Sequence, residues 1–199
     1  MYIELIIYWL IFGVLHSLLA ANPVKQFFSS FMGTSFRYYR LFYSILSFLI
    51  LGGIYWFQYR QPDRIILQLS HYVSILALLL LAPALLVMGI CIRKYFFHLS
   101  GIDVLFPQQQ KSDKLETGGL NSYMRHPLYS GTILLIWCIF FLLPTGGNLI
   151  DAVMVTVYTC IGTLFEEKKL RREFGEAYIA YQQKVPMLLP FTKPRKQRN

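Results

Sequence analysis

Five apolar runs, each close to the length of a membrane crossing, constrain this chain more than any other feature. A transmembrane helix needs roughly 20 mainly apolar residues. The chain is 55% hydrophobic and only 15% charged, whereas a soluble domain carries about a quarter charged residues. The sequence therefore predicts an all-α membrane protein with about five transmembrane helices, over residues 2–21, 39–57, 72–92, 128–144 and 149–165.

The distribution of basic residues predicts how the chain sits in the bilayer. With the amino terminus outside, 17 of the 19 Lys and Arg residues fall on the inner side, and only Arg60 and Arg64 fall on the outer side. Cytoplasmic loops carry such an excess. The net charge of +9 is thus explained by topology and anionic lipid, and a nucleic-acid partner is not expected. We expect an integral protein of a bacterial inner membrane, with the endoplasmic reticulum as the alternative, and a cytoplasmic carboxyl terminus.

The amino-terminal run predicts a retained first span. "MYIE" has no basic segment, and the apolar run that follows is longer than that of a signal peptide. The chain reads as a single membrane-embedded domain, 1–199, with three spans and a loop over 1–114 and a basic tail over 192–199. No Cys or His spacing typical of a metal site occurs, and the sequence leaves the oligomeric state open.

The turn between the fourth and fifth spans is very short, "TGGN" at 145–148, so these spans form an antiparallel hairpin. The loop that ends in "RHPLY" (125–129) and the "EEKKLRREFG" exit of the fifth span (166–175) must then meet at one membrane face. Beyond Phe165 an apolar stripe indicates an amphipathic interfacial helix that ends before Pro186. The stripe consists of Leu170, Phe174, Ala177, Tyr178 and Tyr181.

Two interpretations of these polar segments stay open on the residues alone. "RHP" is either a helix start with an arginine anchored in the headgroups, or a break that lines a polar cavity, since Pro127 disfavours helix at His126. Glu166 and Glu167 are either a solvated charge run or hold a cation, because carboxylates at the end of a span are costly when they face lipid.

The carboxyl-terminal half carries a more specific signal. "TGGLNSYMRHPLYSG" and then "EEKKLRREFGEAYIAYQQKVPMLLPF" resemble the isoprenylcysteine carboxyl methyltransferase superfamily of integral-membrane enzymes, over about residues 115–191. Within it, "RHPLYSG", Trp137, "IGTLFEE" and "VPMLLP" are most similar to the methanethiol S-methyltransferase branch. The resemblance implies methyl transfer from S-adenosylmethionine, with residues 115–191 as the cofactor-binding region.

The resemblance also implies which residues bind that cofactor. They lie in the loop before the fourth span, in the "HPLY" segment and at the end of the fifth span: Leu115, Glu116, Thr117, Gly118, His126, Pro127, Leu128, Tyr129 and Glu166. A carboxylate suits the amino group of the cofactor, and an aromatic ring such as Tyr129 suits its sulfonium. No general base is assigned. Arg125, which would favour a thiolate, and the intramembrane His16 are weak catalytic candidates.

The acceptor is expected to be a small or lipophilic molecule, most simply a thiol. Gly162 stands where prenylcysteine enzymes have an arginine for the substrate carboxylate, which weakens that substrate. Asn121 stands where the family often has tyrosine, which puts one cofactor contact in doubt. The alternatives are an isoprenylcysteine carboxylate, a lipid amine, a reductase of related architecture, or a non-catalytic assembly or transport factor on the same fold.

Overall fold

The computed structural model describes residues 1–105 and 115–192, with the side chains of 96–99 and 103 left aside. Within these ranges the chain forms six α-helices: α1 (Tyr2–Ala20), α2 (Asn22–Met32), α3 (Tyr39–Arg60), α4 (His71–Ser100), α5 (Pro127–Leu142) and α6 (Gly146–Lys184). Short 3-10 turns lie at Gly33–Tyr38, Ile102–Leu105 and Gly119–Ser122. The "PQQQKSDK" part of the loop between α4 and α5 and the predicted tail beyond Thr192 lie outside the described residues.

The prediction of an all-α membrane protein is confirmed. Four helical stretches, which contain α1, α3, α4 and α6, are long and apolar enough to cross a membrane, and α5 is a shorter apolar helix. At 1.5 Å per residue, the 16 residues of α5 reach about 24 Å, against a hydrocarbon core of about 30 Å. Because α5 is shorter than this core, the non-helical segments at its two ends lie close to the hydrocarbon layer of the bilayer.

One short helix was not predicted from the sequence. Residues 22–32, interpreted there as loop, form α2, which begins with Pro23 in its first turn and ends at Gly33 with a φ of 52°. Its apolar side chains are too sparse for a span, and Phe27 and Phe31 remain largely exposed. Such a short amphipathic helix is typical of the bilayer interface.

Two apolar clusters hold the bundle together. Leu5, Trp9 and Phe12 of α1 pack against Ile54 of α3 and against the partly buried Met154 of α6. The second cluster joins the predicted hairpin, with Ile136 and Phe140 of α5 against Ala152 of α6. Thus α6 is the helix shared by both clusters, and its far end is fixed relative to α5.

The Gly-Gly turn between α5 and α6 has a steric reason. A Cβ on Gly146 would lie 2.5 Å from the Tyr2 hydroxyl oxygen, and one on Gly147 would lie 2.6 Å from Asp63 Oδ2. Asp63 accepts hydrogen bonds from the Tyr2 hydroxyl (3.0 Å) and from the Gly147 amide (3.1 Å). Only glycine allows this close approach of Tyr2 and Asp63 to the turn. The polar contacts that result hold the turn closed, at the end of the bundle opposite "RHP".

The predicted interfacial helix is the last part of α6. The chain bends at Gly175, which has a φ of 53°, a conformation that favours glycine. After the bend, the apolar stripe packs on protein: Tyr178, Tyr181 and Val185 are buried, with Leu115, Leu170 and Phe174 against them. This packing turns residues 186–188 back toward the start of α5.

Candidate functional site

The chain after α6 is hydrogen-bonded to the segment before α5. The amides of Arg125 and His126 donate to the carbonyls of Pro186 (2.9 Å) and Met187 (3.1 Å). The Ser130 hydroxyl donates to the carbonyl of Leu188 at 2.6 Å. Proline at 127 ends the preceding extended segment and begins α5. The amides of Arg125 and His126, which lie outside any helix, therefore find acceptors in the "PMLL" segment (186–189). This segment on one side and the start of α5 on the other fix the position of His126.

A buried carboxylate, Glu167, organises the space behind this segment. Its side chain is 7% exposed and lies 2.8 Å from Arg125 Nε through Oε1, with Arg125 Nη2 2.9 Å from Oε2. The Tyr178 hydroxyl donates to Oε1 at 2.7 Å, and the Gln182 amide donates to Oε2. A bidentate arginine pair with further donors is what a buried carboxylate requires. We name Arg125, Glu167, Tyr178 and Gln182 the Glu167 cluster.

His126 joins this cluster to the next residue, Glu166. Its Nε2 lies 2.7 Å from Glu167 Oε1, and because an ionised carboxylate can only accept, Nε2 carries the proton. Its Nδ1 lies 3.7 Å from Glu166 Oε2, beyond hydrogen-bond distance. Glu166 therefore receives no hydrogen bond from His126.

Glu166 is left with an unused oxygen. Its side chain is 41% exposed, yet Oε2 itself is buried and has no hydrogen-bond partner among the described residues. Tyr129, whose ring stacks on His126 at 5.6 Å and 9°, is close enough to Glu166 to interact with it electrostatically. A buried carboxylate oxygen without a donor is costly, and the space beside it suits a cationic or hydrogen-donating ligand.

That space is a cavity of about 350 Å³, within the range of small-molecule sites. Apolar side chains from α5, α6 and the loop that precedes α5 form one part of its wall, and charged groups from α6 form another. The lining residues are Tyr95, Leu115, Glu116, Asn121, Arg125, His126, Pro127, Leu128, Tyr129, Glu166, Lys169, Leu170, Glu173, Phe174, Tyr178 and Tyr181.

Seven of the predicted cofactor residues lie on this wall, namely Leu115, Glu116, His126, Pro127, Leu128, Tyr129 and Glu166. Thr117 and Gly118 are exposed and lie just before the turn at Gly119. Glu116 reaches Lys94 Nζ at 2.6 Å. Asn121 is held by Tyr95, whose hydroxyl donates to its side-chain oxygen at 3.2 Å.

The two weak catalytic candidates lie in different places. Arg125 lines the cavity, but its guanidinium donates to Glu167 and, through Nη1, to the carbonyls of Gln182 and Val185. His16 lies between α1 and α3, bonded to Tyr43 and Ser47. Sequence reasoning treated Glu167 only together with Glu166, as a solvated charge or a cation ligand, and Tyr178 only as part of the apolar stripe. It gave no site role to Gln182 or Lys169. Tyr178 and Gln182 follow Glu167 by 11 and 15 residues, which is roughly 16–23 Å along a straight helix. The bend at Gly175 therefore brings them to Glu167, and this glycine was the available signal.

The chain is similar to known proteins over most of its length. The family model described as "NnrU protein" matches residues 4–189. Methanethiol S-methyltransferase of Pseudomonas deceptionensis is 30% identical over 90% of this chain and 69% of its own length. Methanethiol S-methyltransferase 1 of Bradyrhizobium diazoefficiens is 27% identical over 92% of this chain and 65% of its own length. The chain thus spans about two thirds of these relatives.

A shorter match covers about half of the chain. Protein-S-isoprenylcysteine O-methyltransferase B of Arabidopsis thaliana is 34% identical over 99 residues, 48% of this chain and 47% of the plant protein. No solved structure gives a significant match. The helices, the cavity and these relatives together define an integral-membrane enzyme of the methyltransferase type. Within that class, the chain belongs to the NnrU family.

Proposed function

We propose that this protein transfers a methyl group from S-adenosylmethionine to a thiol, at the inner end of the α5–α6 hairpin. The observation that carries the proposal is the buried Glu166 Oε2, which lacks a partner among the described residues and lies at the wall of a cavity of about 350 Å³. When bound, S-adenosylmethionine supplies an activated methyl group on a positively charged sulfur.

The residues present fit such a cofactor in both charge and polarity. Glu166 offers a carboxylate to its amino group, and Lys169 on the same wall offers a cation to its carboxylate. Tyr129 adds an electron-rich ring near Glu166, which favours a nearby cation. Leu115, Leu128 and Phe174 supply apolar wall. Of the other predicted residues, Glu116, His126 and Pro127 also line the cavity, and Thr117 and Gly118 lie in the adjoining loop.

The Glu167 cluster has a positioning role in this proposal. Its side chains hold one another, and through Nε2 they fix the ring of His126. Fixed side chains let the cavity align a donor and an acceptor without reorganisation, and such alignment supplies a large part of the rate in displacement reactions. Arg125 therefore acts through Glu167 and the end of the chain, and not on the acceptor.

A thiol acceptor is supported by the relatives, several of which bear the name methanethiol S-methyltransferase. A prenylcysteine carboxylate is the second candidate, because two proteins named for that substrate also match. At Gly162, where that branch has arginine, this chain offers no cation for a carboxylate. A lipid amine is the third acceptor class.

The test is methyl transfer by the detergent-purified chain. Methyl-labelled S-adenosylmethionine is incubated with a short alkyl thiol, a farnesylated cysteine or phosphatidylethanolamine, and labelled products are identified by mass spectrometry. We expect a labelled thioether from the thiol and none from the other two. Label in the prenylcysteine or the lipid alone would replace the thiol assignment, and no label with any of the three would overturn the proposed reaction.

A further inference from the structure

A second polar cluster lies inside the bundle, away from Glu167. It consists of His16 on α1 and Tyr43 and Ser47 on α3, which we name the His16 cluster. The Tyr43 hydroxyl lies 2.6 Å from His16 Nε2, and Ser47 Oγ lies 2.9 Å from Nδ1. An ionisable side chain at membrane depth is expensive and is by default a functional candidate.

The direction of its hydrogen bonds follows from Ser47. That hydroxyl has one proton, which it donates to the Tyr43 carbonyl at 2.8 Å. Its oxygen therefore accepts from His16 Nδ1–H, and Nε2 is left with a lone pair. The Tyr43 hydroxyl, 3.2 Å from Nδ1 but 2.6 Å from Nε2, donates to that lone pair. A phenol is thus aligned with a neutral base, which is the arrangement of a proton acceptor.

The cluster lies close to the cavity along α6. Tyr158 of α6 packs against His16, with 6.0 Å between ring centroids, and both Tyr43 and Tyr158 interact electrostatically with the cavity residue Tyr129. Tyr158, Gly162 and Glu166 are four residues apart in turn, so they share a helix face. Along that face, Tyr158 and Glu166 are separated by about 12 Å.

Gly162 leaves this face open. Among the residues that the structure describes, no heavy atom lies within 4 Å of a Cβ placed at Gly162. By contrast, a Cβ at Gly131 on α5 would lie 2.9 Å from Met88 Cγ. The absence of a side chain at 162 therefore leaves space between the carboxylate at 166 and the phenol at 158. An acceptor that lies over Gly162 would have the cofactor cavity on one side and the His16 cluster on the other.

We propose that the acceptor thiol lies over Gly162 and that Tyr43 and His16 together remove its proton; this assignment rests on the proposed methyl transfer. The S–H proton passes to the Tyr43 oxygen as the Tyr43 proton passes to His16 Nε2. The thiolate electron pair then forms the new carbon–sulfur bond, and the electron pair of the broken bond stays with the donor sulfur. The proton on His16 leaves to water, which balances the reaction.

Several groups face this proton path. Tyr39 and Arg40 of α3 and Tyr158 of α6 interact electrostatically with Tyr43, and the Tyr158 hydroxyl lies 3.3 Å from Ser17 Oγ. Of these groups Arg40 is the permanent cation, and it favours a thiolate over a thiol nearby. The phenols stay neutral at pH 7, since their ordinary pKa is about 10.

The test compares Tyr43→Phe and His16→Gln with Tyr55→Phe, a phenol deletion in the same helix outside the site. General-base loss costs about 10²–10⁴-fold. We expect the first two variants to lose that factor in kcat with a short thiol at pH 7, and the control to keep the wild-type rate. Their rates should rise about tenfold per pH unit up to the pKa of the free thiol, near 8.5 for a cysteine-like thiol, because they depend on solvent ionisation of the acceptor.

A readout independent of turnover is the ultraviolet difference absorbance of the thiolate. A short thiol is titrated into protein saturated with S-adenosylhomocysteine, the donor without its methyl group. Wild type and Tyr55→Phe should develop the thiolate band at pH 7, and Tyr43→Phe and His16→Gln should not. Gly162→Leu, which fills the open face, should abolish the band while the affinity for S-adenosylhomocysteine changes less than about threefold.

The outcomes separate the two proposals. Unchanged rates and an unchanged thiolate band in both Tyr43→Phe and His16→Gln would overturn the proton path while the methyl transfer stands. A thiolate band retained in Gly162→Leu would overturn the placement of the acceptor. Absence of cofactor binding in folded wild type would instead reject the proposed function on which this inference rests.

Discussion

Glu166 and Glu167 are adjacent in the sequence and lie in opposite environments. Glu167 is buried and receives hydrogen bonds from Arg125, His126, Tyr178 and Gln182. Glu166 is half-exposed, and its buried Oε2 has no partner among the described residues. Successive residues on a helix point about 100° apart, so one carboxylate can hold the fold together while the next one faces the cavity. One carboxylate therefore stabilises the fold, and the next one in the same helical turn faces the cavity, where we propose that it binds the cofactor.

Removal of the Glu167 carboxylate should have the largest effect. In Glu167→Gln, the Arg125 guanidinium stays buried without its anion, and breaking one partner of a buried pair costs about 3–5 kcal/mol. Thermal unfolding in detergent should occur at a clearly lower temperature, or the protein should fail to accumulate. Glu176→Gln, an exposed carboxylate later in α6, is the matched control. A stable Glu167→Gln would contradict the structural role.

The corresponding substitution at Glu166 should weaken cofactor binding and leave the stability of the fold unchanged. Glu166→Gln keeps the shape of the side chain and removes the charge, and hydrogen bonds to charged groups contribute about 1.5–3 kcal/mol. The Kd for S-adenosylmethionine should therefore rise about 10- to 150-fold, with the unfolding temperature within about a degree of wild type. Calorimetric titration beside a thermal melt measures both. Equal affinity in the two proteins would remove Glu166 from the cofactor site.

A change at His126 should show both effects in smaller measure, since its ring lies between the two carboxylates. His126→Gln keeps a donor for Glu167 but loses the ring that stacks on Tyr129. We expect the free energy of unfolding to fall by about 1–2 kcal/mol. The Kd for the cofactor should rise by a smaller factor than in Glu166→Gln. A His126→Gln variant with the unfolding temperature and the Kd of wild type would show that the ring contributes neither to stability nor to cofactor binding.

Removal of the exposed Lys94–Glu116 ion pair beside the cavity should have the smallest effect. Lys94 and Glu116 lie 2.6 Å apart, but their side chains are 43% and 49% exposed, and such pairs contribute about 0–1 kcal/mol. Glu116→Gln should leave the melt unchanged and weaken cofactor binding less than about threefold at low salt, with no difference from wild type at 1 M salt. A larger loss that persists in salt would give Glu116 a direct contact with the cofactor.

Much of this organisation can be predicted from the sequence, because each membrane-spanning helix requires a long apolar run. The five predicted spans correspond to α1, α3, α4, α5 and α6, since apolar runs of that length have few alternatives. The hairpin turn also follows, because "TGGN" leaves no room for another path. By contrast, α2 was missed, since a short amphipathic helix of 11 residues has no such length signal.

The difference between Glu166 and Glu167 could not be predicted from the sequence. Both are glutamates at the end of a span, and which one faces Arg125 depends on the rotation of α6 about its axis. That rotation is set by packing of Leu5, Trp9 and Phe12 on one side of α6 and of Ile136 and Phe140 on another. The resemblance assigned Glu166 to the cofactor, and that assignment remains a proposal.

Calorimetric titration of S-adenosylmethionine into the detergent-purified wild-type protein tests the central claim most directly. The account predicts saturable binding of one cofactor per chain, present in Glu176→Gln and strongly weakened in Glu166→Gln. No binding by a wild type that melts cooperatively would contradict the account, because the cavity beside Glu166 would then receive a different ligand.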